Sequence, residues 1–207
     1  MSSDAHLGGT TDRHLLDDVP AEQYGVFQHP RRVRLLAALE DLSAPSLSEL
    51  TAAVLEREAG EGDVPATRRR EVRTALVHNH VPRLDDHGIV EWDRDRDVVE
   101  LRERALLQSA ALADLLEGVD DERAVLDRVL DPLRLRLIDE LAESSRPLSL
   151  EQLASKLAAY DGVPEADRAK VGLHHSHLPT LEDAGVLDYD RRAGLASLTE
   201  DVPEIVR

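Results

Sequence analysis

One stretch of this chain occurs twice. Residues 78–95, HNHVPRLDDHGIVEWDRD, return at residues 175–192 as HSHLPTLEDAGVLDYDRR, with eight of eighteen positions identical. Two more pairs of segments align in the same order, namely 29–39 with 131–141 and 46–54 with 149–157. A collinear match of this kind marks an internal duplication, and two copies are too few for a solenoid. We therefore expect two similar domains, each with a modest core of its own.

Each copy has the pattern of three helices followed by a β-hairpin. In the first copy, apolar residues recur at helical spacing after Pro30, which suits a first helical turn. Ser46 and Glu49 fit a capping box that starts a second helix. A third helix begins near Arg68 and ends at Gly88, where a left-handed cap is easily formed, and alternating residues then predict two short strands. The second copy repeats these features at Pro132, Ser149, Gln152, Arg168 and Gly185.

This order of elements is that of a winged helix. We predict a mainly α protein with small β-hairpins, in which two tandem winged helix-turn-helix domains are joined by a helical linker. The predicted parts are an acidic flexible tail (1–20), a first domain (21–102), the helical linker (103–120), a second domain (121–201) and a C-terminal tail (202–207).

The net charge of −17 is concentrated outside the two repeats. Residues 1–24 carry −4 and residues 103–127 carry −5, so the repeats are closer to neutral than the total suggests. Asp and Glu are abundant, and 23 of the 25 basic residues are arginines, which is typical of proteins from salt-loving archaea. On that interpretation the acidity reflects the solvent. The competing interpretation is that the protein avoids nucleic acid.

The sequence argues against several other functions. It has no cysteine, which excludes disulfides, zinc ribbons and thiol nucleophiles. Because it also lacks a glycine-rich phosphate loop and a nucleophile elbow, we expect no enzymatic activity and no cofactor. No apolar run approaches the ~18 residues of a membrane span, and the N-terminus does not resemble a signal peptide. We expect a cytoplasmic protein without a membrane partner.

The most specific phrase is H-[VL]-P-x-L-x-x-x-G-[IV]-[VL], found at 80–90 and 177–187. It resembles the recognition helix and wing entry of prokaryotic winged-helix transcriptional regulators. It is more similar still to an uncharacterised haloarchaeal family of tandem winged-helix domains. The resemblance covers residues 25–101 and 128–199 and implies the winged-helix fold for both.

Paired histidines suggest a metal site, but their spacing opposes one. His78 and His80 are two residues apart and point about 200° apart on a helix, so they cannot hold one ion from one helix. We predict no metal. His80 and His177 are expected to be structural residues at the border of the apolar face, each hydrogen-bonded through one ring nitrogen. Pro82 and Pro179 are expected to kink the third helix.

The outward face of the first copy's third helix carries four arginines within six residues. Arginine binds guanine edges or phosphates, and threonine binds phosphate or a thymine methyl group. We predict a non-enzymatic transcriptional regulator that lays this helix in the major groove of double-stranded DNA. The alternative is a solvated face in an arginine-rich protein. The predicted DNA contacts are Arg68, Arg69, Arg70, Arg73 and Thr74, with Val77 on the same face.

The second copy is less suited to DNA. Asp167 stands where the first copy has Arg70, and an aspartate facing phosphates is unfavourable. Its candidate DNA contacts are Lys170 on the helix and Arg191 and Arg192 at the wing tip. This domain could instead contact a protein, and the alternative for the whole chain is a winged-helix protein–protein interaction module without DNA binding.

A leucine-rich segment connects the copies. Two helices are expected, at 105–117 and 121–130, and the first is apolar on more than one side. It either packs between the domains or forms a homodimer with a second copy, as palindromic DNA sites commonly require.

Overall fold

The computed structural model describes residues 24–60, 63–102, 109–117, 119–159 and 166–199. They form two repeated units, each with helices followed by a small antiparallel hairpin, as predicted. Unit 1 consists of α1 (Tyr24–Phe27), α2 (Pro30–Asp41), α3 (Leu47–Ala59), α4 (Ala66–Ala75), a first π-helical turn (Leu76–His80), α5 (Val81–Asp86), β1 (Val90–Asp93) and β2 (Val98–Leu101). The helices α6 (Ser109–Asp114) and α7 (Glu122–Val129) follow. Unit 2 consists of α8 (Pro132–Ala142), β3 (Leu148–Ser149), α9 (Leu150–Leu157), α10 (Ala166–Gly172), a second π-helical turn (Leu173–His177), α11 (Leu178–Asp183), β4 (Leu187–Asp190) and β5 (Leu195–Leu198). Among the described helices, none has the length and apolarity needed to cross a membrane. The predicted tails lie outside the described residues.

Local signals in the sequence set the helix ends. The hydroxyl of Ser46 accepts the backbone N–H of Glu49 at 3.3 Å, and the Glu49 carboxylate accepts the N–H of Ser46 at 2.9 Å. Ser149 forms the same capping box in unit 2. The predicted third helix corresponds to α4, the first π turn and α5 in unit 1, and to α10, the second π turn and α11 in unit 2. Gly88 and Gly185 follow these third helices with φ of +68° and +74°, a conformation that glycine adopts without strain. The predicted caps are confirmed.

The hairpins carry a third strand or bridge from the loop before the second helix. In unit 2, β3 pairs with β5, giving the strand order β3-β5-β4. In unit 1, Ser46 forms a single antiparallel bridge with Val98. Each hairpin is thereby tied to the helices of its own unit.

A π-helical turn precedes the proline of each third helix. The N–H of Val81 bonds to the carbonyl of Leu76, five residues back, and Leu178 bonds to Leu173 in the same way. A π turn holds one more residue than an α turn, so the ring of Pro82 is accommodated and the helix continues into α5. The sequence predicts a kink at these prolines and gives no hint of the π turns.

The buried apolar side chains of both units form one connected core. The helix α6 packs against α2, and α7 contacts α2 of unit 1 as well as α11 of unit 2. Glu40 of α2 also accepts the backbone N–H groups of Ser109 and Ala110 at 3.0 and 3.3 Å, which caps the start of α6. The expectation of two separate cores is therefore wrong, because the intervening helices bury their apolar faces against the units.

The described part of the first linker helix is short. It covers Ser109–Asp114, and the beginning of the predicted 105–117 helix lies outside the described residues. Leu112 and Leu116 are buried within the chain, and α6 packs on α2 of unit 1. The homodimer through 105–117 stays a prediction.

Candidate nucleic-acid interface on the third helix of unit 1

The helix α4 has one buried and one exposed side. Val72 and, one turn later, Leu76 are fully buried, and they anchor the helix on the core of unit 1. The five predicted contacts Arg68, Arg69, Arg70, Arg73 and Thr74 are all exposed. Val77 is half-buried and packs against the core, so its predicted place on the outward face is wrong. The π turn begins at Leu76 and changes the helical register there. The prediction assumed regular α-helical spacing through residue 77 and therefore placed Val77 on the wrong side.

Arg68 is held by carboxylates at the start of the helix. Its guanidinium donates to Glu58 of α3 at 2.8 Å and lies 3.8 Å from Glu71. Glu58 also binds Arg31 of α2, with 3.1 Å between Arg31 Nη2 and Glu58 Oε2. Burial raises the pKa of Glu58, but the ion pairs with Arg31 and Arg68 outweigh burial and lower it overall. Arg68 is therefore exposed but restrained, and it links α4 to α2 and α3.

The next three arginines have no such restraint. Arg69, Arg70 and Arg73 form no ion pair or side-chain hydrogen bond with any residue that the structure describes. Thr74 completes the same exposed surface. We call these four residues the α4 face. In a chain of net charge −17 it is a local group of cations that no carboxylate of the described residues neutralises.

The two repeated histidines differ from the prediction. His80 is 2% exposed, so it is a core residue and its predicted place at the border is wrong. Its ring packs edge-on against His29, the N-cap residue of α2, with 4.5 Å between ring centroids. His177 is half-buried. The Nδ1 atoms of both rings are buried without a partner among the described residues, and these residues supply no partner for either ring, so the predicted hydrogen bonds stay a prediction.

Burial makes His80 hard to protonate. Desolvation, followed by the nearby His29, Arg31 and Arg32, lowers the pKa of His80 to about 4. The pKa of His29 is lowered as well, first by burial and then by Arg32. Both imidazoles are neutral at pH 7 and pack together where the third helix meets the start of α2, and His29 Nδ1 also accepts the backbone N–H of Arg31 at 3.2 Å.

The wing of unit 1 is the β1–β2 hairpin, and its arginines are more exposed than most of the aspartates that alternate with them in the sequence. The carboxylate of Asp93 is turned inward and accepts the backbone N–H groups of Asp95 and Arg96, both at 3.0 Å. The guanidinium of Arg94 lies 4.5 Å from the ring centre of Trp92, which holds it along the strand. The wing tip therefore presents Arg94 and Arg96 beside the exposed Asp95, while Asp93 and Asp97 are half-buried.

The corresponding helix of unit 2 presents a different surface. Lys170 binds Glu151 at 3.0 Å and Asp167 at 3.6 Å, so its charge is compensated. Val171, at the position of Thr74, is 60% exposed. At the wing tip of unit 2, Arg191 pairs with Glu182 at 3.1 Å, while Arg192 is exposed without a partner in the described residues. The predicted contacts of unit 2 are thus mostly paired.

Two tandem helical units, each completed by a hairpin, are consistent with a protein built of winged-helix-like repeats. The chain matches the family described as Domain of unknown function (DUF7344) in two segments, residues 24–100 and 129–197. It therefore belongs to this family, and the two matched segments correspond to the two repeats. Searches of curated proteins and of solved structures found no match.

Proposed function

We propose that unit 1 binds double-stranded DNA by placing the α4 face in the major groove, and that the protein is a non-enzymatic regulator of transcription. The observation that carries this proposal is the set of three exposed arginines without carboxylate partners in the described residues. By contrast, Arg31, Arg34 and Arg57 of the same unit are all paired with acidic side chains. Other arginines of unit 1, such as Arg83 and Arg94, also lack a carboxylate partner among the described residues, but on α4 three of them lie together on one exposed surface, which solubility alone does not explain.

The spacing of the α4 face suits a duplex. Residues 69 to 74 rise about 7–8 Å along a helix, which is roughly the height of two base pairs. Arg70 and Thr74 are four residues apart and lie on one side, while Arg69 and Arg73 form a second row beside them. One row suits base edges and the other suits phosphates.

The experiment compares duplex binding by the wild type and by the double variant Arg70→Ala/Arg73→Ala. Fluorescence anisotropy with mixed-sequence duplexes, across a series of KCl concentrations, is expected to give about 10- to 100-fold weaker binding for the variant. The slope of log affinity against log salt should also become shallower, because fewer counterions are released. The melting temperature should not change, since both side chains are exposed.

The matched control is Arg102→Ala/Arg128→Ala, which removes two other arginines, one from each end of the segment joining the units. It should bind DNA as the wild type does. Absence of binding at every salt concentration, or equal losses in the two double variants, would rule out the α4 face as a DNA-binding surface.

A second function is favoured by one observation in unit 2. Val171 is the most exposed large apolar side chain among the described residues, and the lysine beside it is ion-paired. This surface suits a protein better than phosphates, so unit 2 would act as a protein–protein interaction module. Immunoprecipitation of the tagged protein distinguishes the two functions. DNA binding predicts discrete loci lost in Arg70→Ala/Arg73→Ala, whereas the module predicts a co-purified protein lost in Val171→Arg.

A further inference from the structure

Arg83 of α5 and Arg123 of α7 lie close enough to Arg32 of α2 for their charges to repel it, and we call these three residues the arginine junction. The rings of His29 and His80, 4.5 Å apart, hold the start of α2 against the third helix. Arg32 and Arg83 are each three residues further along their helices, so they lie on the same faces as the two rings. Arg123 reaches this place because its neighbour Glu122 is bonded to Arg34 of α2 at 2.6 and 2.8 Å.

Among the residues that the structure describes, no carboxylate pairs with the arginine junction. Arg32 is 7% exposed, and its guanidinium donates to the backbone carbonyls of Gly25 and Val26. Burial, followed by Arg83 and Arg123, lowers its pKa to about 10. Neither Arg83 nor Arg123 forms an ion pair or side-chain hydrogen bond with the described residues. A buried cation surrounded by like charges is destabilising unless an anion joins it.

Unit 2 provides its own anion at the equivalent place. Asp131 aligns with His29, and Arg134 aligns with Arg32. The Asp131 carboxylate caps α8 through the N–H groups of Leu133 and Arg134, both at 3.1 Å, and lies 4.0 Å from the Arg134 guanidinium. Thr180 stands where unit 1 has Arg83, so unit 2 also has less positive charge to balance. Both units thus keep an arginine at this position, which is buried in unit 1 and half-buried in unit 2, while only unit 2 has the carboxylate and only unit 1 has the further cation Arg83.

We propose that the arginine junction is a binding site for a phosphate-class dianion, which supplies in unit 1 the negative charge that Asp131 supplies in unit 2. Guanidinium groups bind tetrahedral oxyanions through pairs of parallel N–H groups, and two negative charges match three cations better than one chloride does. Arg83 and Arg123 are exposed, so the ligand reaches the site from solvent, while Arg32 is the fixed inner donor. The bound anion joins α7 to both α2 and the third helix.

This site is separate from the α4 face. Arg83 is ten residues beyond Arg73, or about 15 Å along the helix, so one phosphate cannot touch both. Phosphate binding at the arginine junction can therefore be tested independently of DNA binding by the α4 face.

The experiment measures thermal unfolding of the full chain in KCl, with inorganic phosphate replacing chloride at constant ionic strength. At phosphate tenfold above its dissociation constant, the melting temperature of the wild type should rise by about 3–6 °C. Phosphate also stabilises proteins generally because it is excluded from their surfaces, and that contribution is common to all variants. The specific signal is the difference between variants.

Three variants isolate that signal. Arg83→Gln/Arg123→Gln should lose the specific rise, and Arg96→Gln/Arg102→Gln, which removes two exposed arginines elsewhere, should retain it. His29→Asp installs the carboxylate of unit 2 and keeps a good N-cap, so it should melt higher than the wild type without phosphate and respond less to phosphate. Adenosine monophosphate as a second probe distinguishes the sources of the dianion. If the melting temperature rises with the nucleotide no more than with inorganic phosphate, the ligand is the free ion. If it rises more with the nucleotide, the ligand is a phosphate ester. Equal responses in all variants, or no advantage of either probe over chloride, would overturn the proposal.

Discussion

Replacing Glu122 with glutamine is expected to lower the free energy of unfolding by about 3 kcal/mol. The side chain of its partner Arg34 is only 7% exposed, and the carboxylate binds both of its terminal nitrogens, at 2.6 and 2.8 Å. The hydrogen bonding of the Arg34 guanidinium to this carboxylate is the largest cause of the raised pKa of Arg34. Glutamine preserves the shape but leaves a buried cation without a counter-charge. The expected loss is at the lower end for such pairs, because Glu122 is 29% exposed.

Chemical denaturation in concentrated KCl measures this effect. The matched control is Glu100→Gln, which removes the same charge from an exposed position on β2 and should change stability by less than about 0.5 kcal/mol. Since α7 contacts both units, wild type and variant should each unfold in a single transition. A Glu122→Gln protein as stable as the Glu100→Gln protein would show that the ion pair does not hold α7 on α2.

Acidification should destabilise the protein through His80, by up to about 3 kcal/mol. In the unfolded chain this imidazole binds a proton below about pH 6.5, whereas in the folded chain its pKa is lowered to about 4. Stability is therefore complete above about pH 6.5 and is lost as the pH falls towards 4. His29, whose pKa is also lowered, acts in the same direction.

The variant His80→Leu tests this expectation. Leucine fills a similar volume without titrating, so the difference in stability between variant and wild type should move in favour of leucine as the pH falls from 6.5 to 4.5. His78→Gln, which removes an exposed imidazole from the same π turn, is the control for the carboxylates that titrate in this range. If His80→Leu and His78→Gln show the same slope, His80 is not the group responsible.

Much of the architecture could be predicted because its signals are local. The capping boxes at Ser46 and Ser149 and the left-handed glycines after the third helices each depend on residues close in sequence. The duplication strengthened these predictions, since each signal occurred twice in the same order. The π turns could not be predicted in this way. They change hydrogen-bond register without changing the hydrophobic pattern, and Pro82 indicates a disturbance without specifying its form.

In the candidate sites, too, features set by neighbouring residues could be predicted, and features set by residues distant in sequence could not. The exposure of the α4 face followed from helical periodicity, because Val72 and Leu76 fix which side is buried. The burial of His80 depends on His29, 51 positions earlier, and the restraint of Arg68 depends on a carboxylate of α3. Arg34 and Glu122 are 88 positions apart. No periodicity connects such pairs, although the change from Asp131 to His29 before an otherwise equivalent proline was a visible sign that the two units differ there.

The contact between α6 and α2 determines how this protein can be divided for experiments. A chain cut after residue 102 would lack Leu112 and Leu116 and would leave the surface of α2 that they cover in contact with water. Such a fragment is expected to self-associate through that exposed apolar surface. In a binding assay this non-specific association could be mistaken for affinity towards DNA or protein. Fragments of unit 1 should therefore extend at least through residue 117, beyond Leu116.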